Sequence, residues 1–210
     1  MAAMKHNLYY MAPPANVRSI ATHGILAFNL LRQNPRIASG SSSIADPFVN
    51  ARRERLVLSG KSVHDYVPLY WATHTPMQYV RTMKPGGLSP GKLVCFVMDA
   101  DELLALPGVL TTDGNAASDE TQFYHGAGAL AAIDWTIVAT SNCFSKEYKR
   151  KKCAEVLVPD CIARSYFRAI CCYDEAALVL VRWELIASDD AEVQRMAQSS
   201  TTQVARGLHY

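Results

Sequence analysis

Glu155 has neighbours that favour chemistry. It follows the basic segment KRKKCA and directly precedes the apolar segment VLV, so its carboxylate is expected beside four cations and a low-dielectric interior. Nearby cations keep a carboxylate charged, and a positioned charge of this kind is typical of catalytic sites. The alternative is a glutamate at a strand edge that pairs with one of the lysines.

Two further segments combine residue types that could bind a ligand. Residues 64–71, HDYVPLYW, concentrate polar and aromatic side chains on a predicted strand, for which a half-buried strand with aromatic core residues is the alternative. Residues 52–55, RRER, follow a stretch at 32–47 that is rich in Ser, Gly, Asn and Pro. Together with KEYKRKK at 146–152 they form two local basic patches. Such patches could bind a polyanion, or they could be solvated helix faces.

The common motifs for phosphate and metal binding do not occur in the sequence. There is no GxGxxG, GxxxxGK[ST] or HExxH, and the six histidines show no ligand spacing. No metal is therefore expected, and a nucleotide would have to bind without a Rossmann or P-loop signature. The net charge of +2 does not by itself indicate a nucleic-acid partner.

Composition predicts a globular chain. Of its 210 residues 50% are hydrophobic and 19% charged, which excludes a disordered or fibrous chain. The apolar runs are too short to span a bilayer and residues 1–14 hold no apolar h-region, so a cytoplasmic location is expected. The six cysteines form no zinc-type pairs and are expected to be reduced core residues. Without a convincing linker or repeat, a single domain over 1–210 is predicted.

Local signals predict the elements that position these groups. Strands are predicted at 7–12, 66–72, 92–98 and 156–158, with one or two more in 162–173 and 176–185. Helices are predicted from Asn16 to Gly24, at 48–55, from Pro76, and at 99–106, 121–140 and 188–198. Residues 32–47 and 111–118 are predicted loops. This mixture of elements predicts an α+β domain.

Several of these segments occur together in a recognisable order. They are LYYMAPPANVRSIATHGIL, HDYVPLYWATHTPMQY, TTDGNAAS, IDW and KRKKCAEVLV, and they cover nearly the whole chain. The set resembles the DarT family of DNA ADP-ribosyltransferase toxins. The resemblance implies the ADP-ribosyltransferase fold, a split mixed β-sheet core flanked by helices with NAD in its cleft. It also implies a bacterial toxin that transfers ADP-ribose from NAD to thymidine or guanosine of single-stranded DNA, releases nicotinamide and blocks replication.

The resemblance also implies roles for individual residues. Glu155 and Arg53 would be catalytic. NAD would be bound by Tyr10, Met11, Ala12, Asn16, Arg53 and Tyr70, with Tyr70 stacking at the nicotinamide end. Single-stranded DNA would contact His74, Met77, Lys149, Arg150, Lys151 and Lys152. The implied co-substrate is NAD, no metal is implied, and the implied partner is a DarG-like macrodomain antitoxin.

Tyr10 is a departure from the family pattern, because the family's first motif usually has a histidine at this position. That histidine hydrogen-bonds the NAD ribose. A tyrosine hydroxyl can still donate and accept a hydrogen bond, but the ring is longer. We therefore expect NAD to bind differently or less tightly without loss of activity.

The implied residue types suit transfer from a glycosidic bond. Nicotinamide leaves as a neutral molecule, so no general acid is required, and the transition state is oxocarbenium-like. A carboxylate stabilises that positive character and helps to deprotonate an attacking base nitrogen. Two alternatives remain at this point: a transferase whose acceptor is RNA or protein, and a nucleic-acid-binding relative that has lost catalysis.

Overall fold

An eight-stranded mixed β-sheet lies at the centre of the protein. The computed structural model describes residues 6–140 and 145–210. The strands are β1 (Asn7–Ala12), β2 (Ile25–Leu26), β3 (Tyr66–Tyr70), β4 (Val94–Asp99), β5 (Leu110–Thr112), β6 (Phe123–His125), β7 (Glu155–Pro159), β8 (Cys161–Ile162), β9 (Phe167–Cys172) and β10 (Thr202–Val204). The helices are α1 (Val17–His23), α2 (Phe28–Arg32), α3 (Pro35–Ala38), α4 (Pro47–Arg52), α5 (Pro76–Thr82), α6 (Ala100–Leu104), α7 (Trp135–Ala139), α8 (Lys146–Lys152), α9 (Glu175–Ile186) and α10 (Ala191–Met196).

The sheet is split between its two middle strands. Its order is β10-β9-β4-β1-β3-β7-β5-β6, with β10 parallel to β9 and the other neighbours antiparallel, while β2 and β8 form a separate pair. β1 pairs with β4 along six residues, but it meets β3 only where Tyr9 faces Tyr70. β1 and β3 therefore separate beyond this pair. The predicted split, mixed sheet is confirmed.

Alternation along β3 gives this strand two different faces. Val67 and Leu69 are fully buried in the main apolar core. Because successive side chains of a strand point to opposite sides, Tyr66, Pro68 and Tyr70 share the other face. That face lies beside the opening between β1 and β3, so β3 joins the core to the cavity described below.

Several helix starts follow the predicted signals. The Thr75 side chain accepts a hydrogen bond from the Gln78 backbone N–H at 3.2 Å, with Pro76 as the first residue of α5. Asp99 and Asp190 cap α6 and α10 in the same way. An oxygen at this position satisfies backbone N–H groups that have no partner within the helix. These predicted helices are confirmed, with bounds shifted by a few residues.

The prediction of a strand at 176–185 is wrong, because this segment forms α9. The Asp174 carboxylate caps the helix by accepting from the Ala177 backbone N–H at 2.8 Å. α9 buries Ala177, Leu178, Val181 and Leu185, a spacing that matches the helical repeat. The exposed side of the helix is also apolar, so the sequence carries little periodicity that separates helix from strand.

The prediction of a helix over 121–140 is also wrong. Phe123–His125 form β6, which pairs with β5, and α7 covers only Trp135–Ala139. Gly126 has a positive φ of 51° directly after β6, which ends the strand in a turn. Thr111 and Thr112, predicted as loop, belong to β5. Cross-strand pairing outweighs local propensity in this region.

Two other predictions need adjustment. The predicted loop at 32–47 contains the short helix α3. Cys95, Cys153, Cys171 and Cys172 are buried thiols as expected, whereas Cys161 is exposed on β8. Cys143 and residues 1–5, part of the segment used for the signal-peptide expectation, lie outside the described residues. Within 6–140 and 145–210, no helix combines the length and apolarity required to cross a membrane.

Candidate active site

A cavity of about 630 Å³ lies where β1 and β3 separate. Residues 10–12 of β1 line one side, and the outward face of β3, Tyr66, Pro68 and Tyr70, lines the other. The volume is within the usual range for sites that bind small molecules and cofactors. The split of the sheet therefore forms the site.

Arg53 and Glu155 form a buried ion pair next to this cavity. Arg53 follows α4 and lines the cavity, and Glu155 is the first residue of β7. The Arg53 Nη2 and Glu155 Oε1 atoms are 2.5 Å apart, and the Glu155 side chain is fully buried and does not itself line the cavity. Sequence analysis identified both residues, and the structure brings them together across 102 positions of the chain.

Each member of the pair retains one buried polar atom without a partner. Among the described residues, no partner lies in hydrogen-bonding geometry with Arg53 Nη1 or Glu155 Oε2, although the Ala116 backbone N–H is near enough to the carboxylate to lower its pKa. Buried polar atoms are normally paired, because an unmade hydrogen bond costs about 1–3 kcal/mol. A ligand that carries both a donor and an acceptor would relieve this cost. The pair therefore has the character of a binding or catalytic site.

Burial and mutual charge set the protonation of the site. Burial raises the pKa of the Glu155 carboxyl above its usual value, and the Arg53 guanidinium opposes this rise. Burial alone would lower the pKa of Arg53, but the Glu155 charge outweighs it and the pKa of Arg53 rises. The pKa of Tyr70 is raised strongly by burial and then by Glu155, so its hydroxyl keeps its proton.

β5 fixes the position of Glu155. The Glu155 backbone N–H donates to the Thr112 hydroxyl at 2.9 Å, and this hydroxyl donates to the Gly114 carbonyl at 2.6 Å. Tyr70 lies opposite Glu155 in the β3–β7 register. Glu155 is therefore held from both neighbouring strands, as a group with a defined position requires.

The residues predicted to bind NAD all line the cavity. Tyr10 is half-buried and its ring contacts Phe96 edge-on, with centroids 6.5 Å apart. Met11 and Ala12 follow it with little exposed surface. Burial raises the pKa of Tyr10, so its hydroxyl is present as a neutral donor and acceptor.

Asn16 lines the cavity but uses its amide group within the protein. Its Nδ2 donates to the Ser42 carbonyl at 2.8 Å, and its Oδ1 accepts from the Ser42 backbone N–H at 3.0 Å. From another side, Arg81 donates to the carbonyls of Ile44 and Ala45, both at 2.6 Å. Segment 41–45 also lines the cavity, so Asn16 and Arg81 together fix one of its walls.

His64 is a cavity residue to which sequence analysis gave no role. It is buried, its Nε2 lies 3.3 Å from Asn50 Oδ1, and its ring packs on Phe28 with centroids 4.4 Å apart. Burial and then the Arg53 charge lower its pKa, so the imidazole is neutral near pH 7. The sequence feature that could have identified His64 is its position at the start of the HDYVPLYW segment, whose Tyr66, Pro68 and Tyr70 also line the cavity.

The predicted DNA contacts lie in different places. Met77 and Lys149 line the cavity, and Lys149 is exposed. His74 does not line it, because its Nε2 lies 3.0 Å from the His209 carbonyl oxygen and its ring packs on Tyr210. Of this pair from the THTPM segment, only Met77 reaches the cavity.

The predicted phosphate contacts at 150–152 need correction. Lys152 is buried, and its ammonium donates to the backbone carbonyls of Val138 and Thr140. Lys151 lies 3.5 Å from the Asp134 carboxylate. Successive residues of a helix point in different directions, so four consecutive basic residues of α8 cannot all face one cleft.

Arg150 is also mostly buried, and its guanidinium is bound to acidic side chains. It lines the cavity, but it forms ion pairs with Asp113 and Glu147 at 3.1 and 2.8 Å. Of the four predicted contacts at 149–152, Lys149 is thus the one that presents an exposed charge at the cavity, where the exposed Lys146 of the same helix also lies.

Fold and site together define an α+β protein of the ADP-ribosyltransferase type. A sequence model described as "ssDNA thymidine ADP-ribosyltransferase, DarT" matches residues 9–198. The chain belongs to the DarT family.

Curated relatives agree with this assignment. A DNA ADP-ribosyl transferase of Thermus sp. is 30% identical over 143 residues, which is 64% of this chain and 68% of the relative. A DNA ADP-ribosyl transferase-DNA ADP-ribosyl glycohydrolase fusion protein of Thermosipho africanus is 32% identical over 169 residues. That match covers 78% of this chain but only 41% of the fusion protein.

Solved structures agree in fold. Thermus sp. 2.9 DarT in complex with ADP-ribosylated ssDNA superposes with a TM-score of 0.78 at 23% identity, covering 98% of this chain and 96% of that one. The same Thermus protein in complex with NAD+ gives a TM-score of 0.77 at 21% identity and covers both chains completely. Thermosipho africanus DarTG in complex with ADP-ribose gives 0.77 at 25% identity, covering 97% of this chain and 50% of that one.

Proposed function

We propose that this protein transfers ADP-ribose from NAD to a base of single-stranded DNA and releases nicotinamide. The observation that carries the proposal is the buried Arg53–Glu155 pair beside the cavity, with Nη1 and Oε2 left without hydrogen-bond partners within residues 6–140 and 145–210. Membership of a family described by single-stranded DNA thymidine ADP-ribosylation supports thymidine as the acceptor. The Thermus relative in complex with ADP-ribosylated ssDNA is a precedent for this product.

NAD would occupy the cavity between β1 and β3. Tyr70 presents an aromatic face beside Glu155, which suits the cationic nicotinamide ring of NAD. Arg53 supplies a positive charge for the pyrophosphate or for orienting the incoming base. Tyr10, Met11, Ala12 and Asn16 would line the remainder of the bound molecule, Asn16 by fixing segment 41–45. The complexes of the Thermus relative with NAD+ and carba-NAD+ support NAD as the co-substrate.

Glu155 would supply the carboxylate that the transfer requires. The bond between the ribose anomeric carbon and the nicotinamide nitrogen breaks, and its electron pair leaves with nicotinamide. A base nitrogen then bonds to that carbon and loses its proton. Glu155 stabilises the positive character at the ribose. It also receives the proton of the base nitrogen, because removal of that proton makes the nitrogen a better nucleophile.

The free oxygen of Glu155 identifies the atom that does this work. Oε1 is occupied by Arg53, whereas Oε2 is buried and has no partner among the described residues. We therefore assign the contact with substrate to Oε2. Since Arg53 and Tyr70 line the cavity and Glu155 does not, we infer that these two side chains shift when substrate binds.

Burial of Glu155 favours a single-stranded acceptor. A base stacked in a duplex would have to be flipped out at a cost of a few kcal/mol, whereas a single strand avoids the unpairing. Lys149 and Met77 line the cavity and would contact the strand there, with phosphate and apolar contacts respectively. We retain these two among the predicted DNA contacts.

We further propose that the protein acts in the cytoplasm as a toxin whose adduct blocks replication. The fusion of a DNA ADP-ribosyl transferase with a DNA ADP-ribosyl glycohydrolase in the Thermosipho relative supports an enzyme of that second kind as its partner. A DarG-like macrodomain antitoxin would remove the adduct. Co-expression with such a glycohydrolase should restore the growth of cells that the transferase alone arrests.

An acceptor panel tests the proposed function. The protein is incubated with NAD and with single-stranded DNA oligonucleotides that differ only in which bases they contain, and mass spectrometry measures the products. Matched RNA oligonucleotides, duplex DNA and a carrier protein serve as alternative acceptors. We expect a mass gain of one ADP-ribose on thymidine-containing single strands only. Modification of RNA or protein in preference to DNA, or of no acceptor at all, would refute the proposal.

A further inference from the structure

The segment from 113 to 121 connects β5 to β6 and forms part of the cavity wall. Asn115 and Ser118 line the cavity, and the segment begins directly after Thr112, whose hydroxyl accepts the Glu155 backbone N–H. The cavity wall formed by this segment is thus connected through Thr112 to the strand position of Glu155. Their position relative to Glu155 therefore matters for the transfer.

The guanidinium of Arg150 connects both ends of this segment to α8. Its Nη1 lies 3.1 Å from Asp113 Oδ1 and 3.3 Å from Thr121 Oγ1, which are the two ends of the segment. The Nε and Nη2 atoms donate to the two carboxylate oxygens of Glu147 at 2.9 and 2.8 Å. Glu147 is on α8, like Arg150, so it holds the guanidinium in the orientation that bridges the two ends.

The backbone of Arg150 and the size of Gly114 complete the contact. The Asn115 N–H donates to the Arg150 carbonyl at 2.9 Å. A Cβ atom on Gly114 would lie 2.5 Å from Arg150 Nη1, so any larger residue here would push the guanidinium away. On the other side of the segment, Arg55 donates to the Ser118 carbonyl and stacks over Phe123.

We propose that Arg150 is a positioning residue that fixes segment 113–121 beside Glu155. This inference rests on the proposed transfer to DNA and assigns that reaction a residue outside the catalytic pair. The side chain is only about 10% exposed and bridges Asp113, Thr121 and Glu147, so it acts through the segment and not as a phosphate ligand. The wall that faces the acceptor is thus formed before DNA binds.

Two variants disturb the bridge by different routes. Arg150→Ala removes the guanidinium, whereas Gly114→Ala keeps the charge and displaces the guanidinium sterically. We expect both variants to lower kcat for DNA modification at least tenfold. KM for NAD should stay within twofold of the wild-type value, and NAD should still raise the melting temperature of both variants. Arg150→Lys should recover part of the loss, because lysine can pair with Asp113 but cannot bridge all three partners.

The control is Lys149→Ala, which removes a neighbouring exposed charge and leaves the bridge intact. It should raise KM for DNA in a salt-dependent way with kcat unchanged. If Arg150→Ala behaves like this control and Gly114→Ala behaves like wild type, Arg150 is a phosphate ligand and the inference is wrong. If both variants also lose NAD binding, Arg150 only maintains the general stability of the fold. That result would also overturn the inference.

Hydrogen exchange separates this inference from the proposed function. Amide exchange in residues 113–121 should be faster in Arg150→Ala and Gly114→Ala than in wild type and in Lys149→Ala, with or without activity. Unchanged exchange would overturn the inference even in an active enzyme. If wild type modifies no acceptor, the proposed function fails, while the exchange rates still report on the bridge.

Discussion

At the residue scale, the site depends on two opposite charges that share one buried contact. Removing one partner of such a pair leaves the other charged and unpaired, which typically costs 3–5 kcal/mol. An isosteric change that keeps a hydrogen bond to Arg53 is less disruptive, so Glu155→Gln is more informative than Glu155→Ala. In the part of the chain that the structure describes, Arg53 Nη1 and Glu155 Oε2 have no hydrogen-bond partner, which indicates that this arrangement serves ligand binding more than stability.

The raised pKa of Glu155 predicts the pH dependence of catalysis. The active form is the carboxylate, so kcat/KM for DNA modification should fall on acidification, with a midpoint above the usual glutamate pKa of 4.5. A raised pKa means that the folded protein binds this proton more readily than the unfolded chain does, so protonation of Glu155 does not favour unfolding. Circular dichroism over the same pH range checks that the fold persists. A midpoint at or below 4.5 would mean that the Arg53 charge outweighs burial in setting the pKa of Glu155.

The ring of Tyr70 predicts a difference between two substitutions. Tyr70→Ala removes the aromatic face beside Glu155, and KM for NAD should rise about tenfold, as expected for loss of a cation–π contact of about 1–2 kcal/mol. Tyr70→Phe keeps the face and should stay within about threefold of wild type. Initial rates at varied NAD concentration measure both. Equal effects would assign the role to the hydroxyl instead of the ring.

At the scale of elements, the position of the site follows from the separation of β1 and β3. One residue pair joins these strands, and the cavity occupies the space beyond it. The opposite face of β3 packs into the core, against which α9 also packs. Loss of core packing should therefore affect stability before it affects the chemistry of Glu155.

α9 provides a matched pair of leucines for testing this packing. Leu185 is fully buried and Leu180 is 48% exposed on the same helix. Leu185→Ala should lower the free energy of unfolding by about 2–5 kcal/mol, because it leaves a cavity in the core. Leu180→Ala should change it by less than about 1 kcal/mol. Urea denaturation measures both, and equal losses would contradict the packing of α9.

Local signals predicted some elements and missed others for a physical reason. The Thr75 cap with Pro76 marks the start of α5, and the apolar run of β4 marks a central strand, because both signals lie within a few residues. α9 is apolar on its exposed side as well, so its period is not visible in the sequence. β6 depends on pairing with β5, which no local window contains.

The residues of the site likewise include some that the sequence predicted and some that depend on the folded structure. The proximity of Arg53 and Glu155 follows from the order of the strands and not from any spacing, so only the motif resemblance could predict it. The family resemblance and the run of basic residues predicted Lys152 as a DNA contact, whereas packing of α8 buries it against backbone carbonyls. The side chains of a basic run that can contact DNA are known only when the orientation of their helix is known.

At the scale of the whole molecule, DNA affinity should depend on a few exposed charges and not on the total number of basic residues. Lys149→Ala should reduce the slope of log affinity against log salt by about 0.7, the value for one contact with single-stranded DNA. Lys152→Met should leave that slope unchanged and lower stability by about 1–3 kcal/mol, since buried carbonyls lose their donor. Fluorescence anisotropy at several salt concentrations tests this difference. A lower slope for Lys152→Met would contradict the conclusion that Lys152 is a buried structural residue that does not contact DNA.

The most direct test of the central claim compares single-turnover ADP-ribosylation of a thymidine-containing single strand by wild type, Glu155→Gln and Glu175→Gln. Glu175 is an exposed glutamate at the start of α9 and serves as the matched control. We predict that Glu155→Gln loses at least about 100-fold in rate while it retains the thermal shift with NAD, and that Glu175→Gln matches wild type. Transfer by Glu155→Gln at the wild-type rate would contradict the assignment of the chemistry to this carboxylate.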